Sequence, residues 1–198
     1  MKKTLLAFLL TFTVSIFLSA MKIEGLIIRQ NDSLLVTFNI PTDIFKTVPD
    51  FEQMQRSIIY YDVNGKKKKI KPRDAEEIQF IMNNELIRIV SRKMNYNTNK
   101  RYLLDSVMFL KLEADGYLKL FSFHTLDMGS MSRSNINYIL QKGKDELKWL
   151  NAIRVKNDLI EYLGDCNSAV EKIKQCNFLF KNELVPIVKY YNDNCRKE

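Results

Sequence analysis

Over most of the chain, apolar and polar residues alternate in short runs broken by turn residues, the period-two pattern of half-buried strands. Residues 24–29 and 34–40 flank the polar turn Gln30-Asn31-Asp32-Ser33, and Pro41 closes the second run because proline cannot donate to a ladder. Residues 43–55 read as loop. Residues 57–63 lead into Asn64-Gly65, the dipeptide of a type I′ hairpin with positive φ at both centres, and residues 66–71 return. Residues 78–82 and 86–91 surround Asn83-Asn84-Glu85. Residues 101–113 and 117–125 surround Ala114-Asp115-Gly116, and a last strand over 136–141 precedes Lys142-Gly143. Hairpin turns in succession predict an antiparallel β-meander, closed as a barrel or folded as a sandwich.

Near Leu147 the period changes. Leu147, Leu150 and Ile153, then Leu159, Ile160 and Leu163, recur at three- and four-residue steps and predict an amphipathic helix stopped at Gly164. Asp165 or Asn167 can cap a second helix that buries Val170 and Ile173. A third, from about residue 182, carries Leu184, Ile187, Val188 and Tyr191 on one face, with Pro186 in or near its first turn. No linker or repeat separates the two parts. The expectation is one α+β domain, β-rich over about 21–145 and helical over about 146–198, with about three helices packed on one face or end of the sheet.

Residues 1–20 stand apart. Lys2 and Lys3 precede an apolar run over 5–18, and Leu18-Ser19-Ala20 offers small residues for cleavage, so the segment reads as a secretory signal. A spanning helix needs about 20 mostly apolar residues and this run is shorter, so an uncleaved anchor is not expected. Met21 follows where a lipoprotein would carry its cysteine, which excludes lipid attachment there. The exported chain loses two lysines and no acids, and its net charge falls from +8 to +6. That balance favours an anionic surface as partner. Nucleic acid is not expected in an exported setting, and no second long apolar run makes the chain an integral membrane protein.

The candidate chemistry is sparse. Cys166, Cys176 and Cys195 all fall in the helical tail, where an oxidising compartment favours one bridge and one thiol left over. Antiparallel helices would bring Cys166 to Cys195, and spacing alone leaves the other two pairings open. Zinc is not expected, because the single histidine, His124, is remote in sequence and structural zinc takes about four ligands. His124 ends an aromatic strand and is the one side chain of a type whose unperturbed pKa is near neutrality, so a general base with Asp127 or Ser130 can be drawn. The plainer reading, a histidine at a sheet edge, is preferred. Lys66, Lys67, Lys68 and Lys69, with Lys71 and Arg73, could hold an anionic surface; the plainer reading is an edge strand guarded against aggregation. The six glycines are scattered, so no nucleotide loop or hydrolase elbow forms, and no cofactor is expected. Glu76 and Glu77 would face opposite sides of a strand.

The tail resembles the end of a group of uncharacterised secreted bacterial proteins. The resemblance rests on Leu159-Ile160-Glu161-Tyr162-Leu163-Gly164-Asp165-Cys166, on residues 178–188, and on Tyr190-Tyr191-Asn192-Asp193-Asn194-Cys195, with Asp-Cys and Tyr-Asn-x-x-Cys elements. Lys71-Pro72-Arg73-Asp74 after a basic hairpin adds to it. The resemblance implies export, a β-rich body with a helical tail and a Cys166–Cys195 pair, with Cys176 an addition that leaves disulfide exchange open. It carries no activity. The expectation for function is an exported, non-enzymatic binding or scaffolding module of the bacterial envelope. The alternatives are a lipid or small apolar ligand carrier built on a barrel-like body and, last, a hydrolase using His124.

Overall fold

The computed structural model of the protein describes residues 20–42, 48–94, 107–126, 134–151, 153–176 and 181–195. The signal segment over 1–19 lies outside them, and Ala20, the expected cleavage point, opens the first strand opposite Pro41. Ten strands form one antiparallel sheet: β1 (Ala20–Ile28), β2 (Ser33–Pro41), β3 (Ile58–Tyr61), β4 (Lys67–Ile70), β5 (Glu77–Met82), β6 (Glu85–Lys93), β7 (Val107–Ala114), β8 (Leu118–Leu126), β9 (Ser134–Lys142) and β10 (Lys148–Trp149). A short helix, α1 (Phe51–Met54), lies between β2 and β3, and α2 (Val155–Tyr162), α3 (Asn167–Gln175) and α4 (Lys181–Asn194) follow the sheet. The α+β architecture is the one the sequence predicts.

Strand order is β10-β9-β8-β7-β6-β5-β1-β2-β3-β4, so two meanders join through the β1–β5 pairing. Among the described residues no pairing links β4 to β10, and the sheet is open rather than a closed barrel. It nevertheless curls. The α1 helix, which follows β2, packs on β8, the Gln55 carbonyl after it accepts the Phe109 N–H of β7, and residues 72–74 after β4 reach β6 and β7, all several strands away in the order. Ile58, Ile70, Ile78, Phe80, Ile89 and Phe109 belong to one buried cluster. Large rings fill the inner face that a ligand-carrying barrel would leave open; Phe38, Phe80 and Phe109 are all fully buried. Leu118, Leu120 and Leu140 form a second cluster with α2, α3 and α4. Met108, Leu110, Phe121 and Phe123 form a third, with Leu147 and half-buried Trp149.

The turns and the first long helix differ from expectation. Positive φ at both centres occurs at Asn83 (53°) and Asn84 (62°), which join Met82 directly to Glu85, so Glu85 belongs to the strand. At Asn64-Gly65 only the glycine is positive, at 72°. There the Asp62 carboxylate accepts the Asn64 and Lys66 N–H groups at 3.0 and 2.9 Å, and this side-chain bonding supports a longer turn.

Leu147 and Leu150 do not share a helix. They flank β10 and enter different clusters, while Ile153 is 94% exposed. Two ladder positions on β9 and an edge-on contact of Trp149 with Phe123 at 5.4 Å outweigh the helical spacing. Asn151 and Asp158 then organise the chain into α2, four residues later. The α3 helix is capped by neither Asp165 nor Asn167. Cys166 is its N-cap, and Ala169 with Ile173, rather than Val170, forms its buried face. Leu184, Ile187, Val188 and Tyr191 of α4 are buried together as expected, and Pro186 sits inside the helix, beyond the first turn.

Gly25 is required by close approach. A Cβ there would meet the Gln79 carbonyl, the Phe38 ring at 2.8 Å and the Phe80 Cβ at 2.9 Å. Gly25→Ala is expected to lower stability by about 1–3 kcal/mol or more, as overpacked cores do. A urea titration measures it as a lower midpoint with an unchanged slope.

Candidate functional site

His124 is held by a residue that the sequence reading placed in a loop. The β7–β8 register runs through Lys111 and Ser122, and beyond that pair the strands part. Gln55, just after α1 and 4% exposed, fills the gap. Its backbone carbonyl accepts the Phe109 N–H at 3.0 Å. Its side-chain amide donates to the His124 carbonyl at 2.8 Å and accepts the His124 N–H at 2.6 Å. The His124 ring then lies against Phe51 of α1, with centroids 5.1 Å apart.

Around His124 the inner face turns polar between the first and second apolar clusters. Ser122 is fully buried, donates its hydroxyl proton to Glu113 Oε1 at 2.8 Å, and sits 3.4 Å from His124 Nε2. The Lys111 ammonium lies 3.4 Å from the other Glu113 oxygen and 5.1 Å above the Phe51 ring. Burial and then the Glu113 charge push the neighbouring Tyr138 phenol up to about 12, so it stays protonated at neutral pH. The lysine and the serine hydroxyl answer the buried carboxylate, which would otherwise be costly. The adjoining hollow, lined by Phe51, Met54, Ile89 and Phe109, has no room for a water molecule. A serine hydroxyl committed to a carboxylate, with no space for an acyl group, is a polar seam in the core rather than an open nucleophile site. Asp127 and Ser130 lie outside the described residues.

The basic run falls on the edge strand. Lys67, Lys68 and Lys69 of β4 are all exposed, only Ile70 turns into the core, and Lys68 pairs with Asp62 at 2.8 Å. Lys66 belongs to the preceding turn, whereas Lys71 and Arg73 continue into the 3-10 turn Pro72–Asp74. That turn forms one wall of an open groove of about 810 Å³, with Ile28, Arg29 and Gln30 on one side and Ser91 and Arg92 on the other. Its rim alternates in charge: Arg29, Arg73 and Arg92 stand among Asp74, Glu76 and Glu77. Arg92 is anchored, its Nη1 donating to the Ser91 carbonyl at 2.8 Å while its Cζ lies 5.3 Å from the Phe121 ring centroid. Glu76 precedes β5 and Glu77 opens it, so they do not act as a pair; Glu77 takes a two-pronged bond from Arg88, with contacts of 2.5 and 2.9 Å.

The tail elements are structural. Cys166 and Cys195 are bridged, with Cα atoms 5.6 Å apart. Asp165 accepts the Tyr191 hydroxyl at 2.6 Å and the Lys142 ammonium at 2.7 Å. Asn192 accepts the Leu118 N–H at 2.8 Å and donates to the Leu118 carbonyl at 2.9 Å, clamping α4 to the start of β8. Cys176 is free and lies at the far end of α3 from Cys166, roughly 15 Å along the helix. Among the described residues no group of His, Cys, Asp and Glu could hold a metal ion. Gln55, Lys111, Glu113 and the Arg88 pairings carry no signal in the sequence, since nothing in the local pattern marks a side chain that substitutes for backbone or a carboxylate answered by a serine on the next strand. Comparison with known proteins finds no match: no family model, no curated protein and no solved structure.

Two outcomes follow for this region. Gln55→Ala strips two backbone groups of His124 of their partners, and each buried unpaired group costs about 1–3 kcal/mol, so the urea midpoint should fall and hydrogen exchange at His124 should quicken. The second concerns acid. Desolvation raises the Glu77 and Asp115 carboxyls, but the Arg88 hydrogen bonds outweigh it and hold both below the usual carboxylate range. Their contribution is therefore present above about pH 4 and is lost as pH falls through the lowered folded values. Arg88→Gln should lower the midpoint at pH 7 and give a shallower decline in acid than the unaltered chain.

Proposed function

We propose that this chain is an exported, non-enzymatic binding module of the bacterial envelope, and that its ligand lies in the groove between the end of β1, the 3-10 turn and β6. The observation that carries the reading is the groove itself. At about 810 Å³ it falls in the range of ordinary ligand sites. Its rim of three arginines and three carboxylates suits a ligand carrying both signs of charge, as a peptide does, better than an apolar chain. The closed seam around Ser122 and His124 supports a binding role over a hydrolytic one.

Export is supported by the signal-like residues 1–20 and by the Cys166–Cys195 bridge, since such bonds persist in oxidising compartments. Among the described residues no helix is long and apolar enough to cross a membrane.

Native mass spectrometry of the protein recovered from its host's envelope tests the reading. The expected result is a bound species of peptide character that is lost from the Arg29→Glu/Arg73→Glu variant. A bare chain that also ignores a peptide library, or a ligand retained at full occupancy by the variant, overturns it.

A further inference from the structure

The outer face of the first meander has a character that the groove does not account for. Pairing sets Lys67, Tyr61, Thr37 and Glu24 in one row across β4, β3, β2 and β1. Lys69, Ile59, Asn39 and Lys22 form the next row. Successive side chains alternate, so both rows share the face that looks away from Phe38, Tyr60 and the main core. The Lys22 ammonium lies 5.0 Å from the centre of the Tyr61 ring. Large apolar side chains are exposed on the same face. Leu35, opposite Leu26, is 61% exposed, and Ile81 with its partner Leu86 is 63% and 54% exposed. Val63, at the tip of the β3–β4 turn, is 83% exposed and is followed by Lys66 and Lys67, both exposed.

Exposed apolar residues scattered singly need no explanation, but a group set among cations on one sheet face does. Three occupants can be weighed. A second copy of the chain would bring its own lysines against these. A soluble polyanion would answer the lysines and leave Val63, Leu35 and Ile81 in water. An anionic bilayer answers both, with phosphates for the ammonium groups and the interfacial layer for the apolar side chains.

We propose that this face docks on an anionic lipid bilayer, with the Val63 turn entering the headgroup layer and Lys22, Lys66, Lys67 and Lys69 set against lipid phosphates. The proposal goes beyond the groove and does not depend on what the groove holds. It also gives the edge lysines a use beyond guarding the strand.

Co-sedimentation of the full chain, processed as its host processes it, tests this with two vesicle types: equimolar phosphatidylglycerol and phosphatidylcholine, and phosphatidylcholine alone. Binding is expected to the anionic vesicles, weakened by salt, and not to the neutral ones. Lys67→Gln/Lys69→Gln should weaken it roughly twenty- to thirtyfold, the effect of two surface cations near an anionic membrane. Val63→Gln, in an exposed turn and with no charge removed, should weaken it about fivefold. Circular dichroism of both variants should match that of the unaltered chain. Equal binding to neutral vesicles, or unchanged binding of both variants, overturns the proposal. So does equally tight binding to soluble polyglutamate that is indifferent to Val63, which would make the face a polyanion site.

Discussion

Between Phe109 and His124 two neighbouring strands of one sheet part, and a buried side chain takes the place of the missing ladder. A backbone N–H and C=O left dry and unpaired would each be costly. Gln55 answers them with an amide that has the same donor and acceptor as a peptide group. Because this amide belongs to the segment after α1, it pins that helix over the inner face. Phe51 and Met54 then close one end of the first core cluster, and Phe51 offers its ring to both His124 and Lys111. The polar seam of Lys111, Glu113 and Ser122 exists at the margin of this plug, where two apolar cores meet and neither covers the sheet completely.

The helical tail is attached by a different logic. Its buried leucines supply area, but polar groups near its end set where it sits. Asn192 reads both backbone groups of Leu118, and Tyr191 reaches Asp165 from the opposite helix. Burial and the hydrogen bond to Asp165 both raise the Tyr191 phenol, while the Asp165 carboxyl, pushed up by desolvation, is held down by Lys142 and Tyr191. The Asp-Cys and Tyr-Asn-x-x-Cys elements thus have a structural meaning here: the first places one sulfur and the Asp165 anchor, the second places the other sulfur and the Tyr191 and Asn192 anchors.

How far the sequence could be read follows from what each pattern measures. Alternation measures burial on one face, so the strands and the buried stripe of Leu184, Ile187, Val188 and Tyr191 were legible. Leu147 and Leu150 misled because a three-residue spacing also fits two residues that flank a two-residue strand and pack into different clusters. The Asn64-Gly65 dipeptide misled because Asp62 bonds the turn from outside it. The order in which strands pair, with β5 returning to β1, is invisible to local patterning, and so is what depends on it: the curl of the sheet and the groove.

The disulfide joins Cys166, just before α3, to Cys195, just after α4, so the two helices form a covalent ring with a separation of 29 residues between its sulfurs. A pull applied to the chain beyond Cys195 passes through the sulfurs to α2 and so into β10, and α3 and α4 bear none of the tension along their own backbones. Mechanically they are a side loop. The tail can be tethered, tugged or crowded at its end while the Asn192 and Tyr191 anchors, which sit inside the ring, remain unloaded.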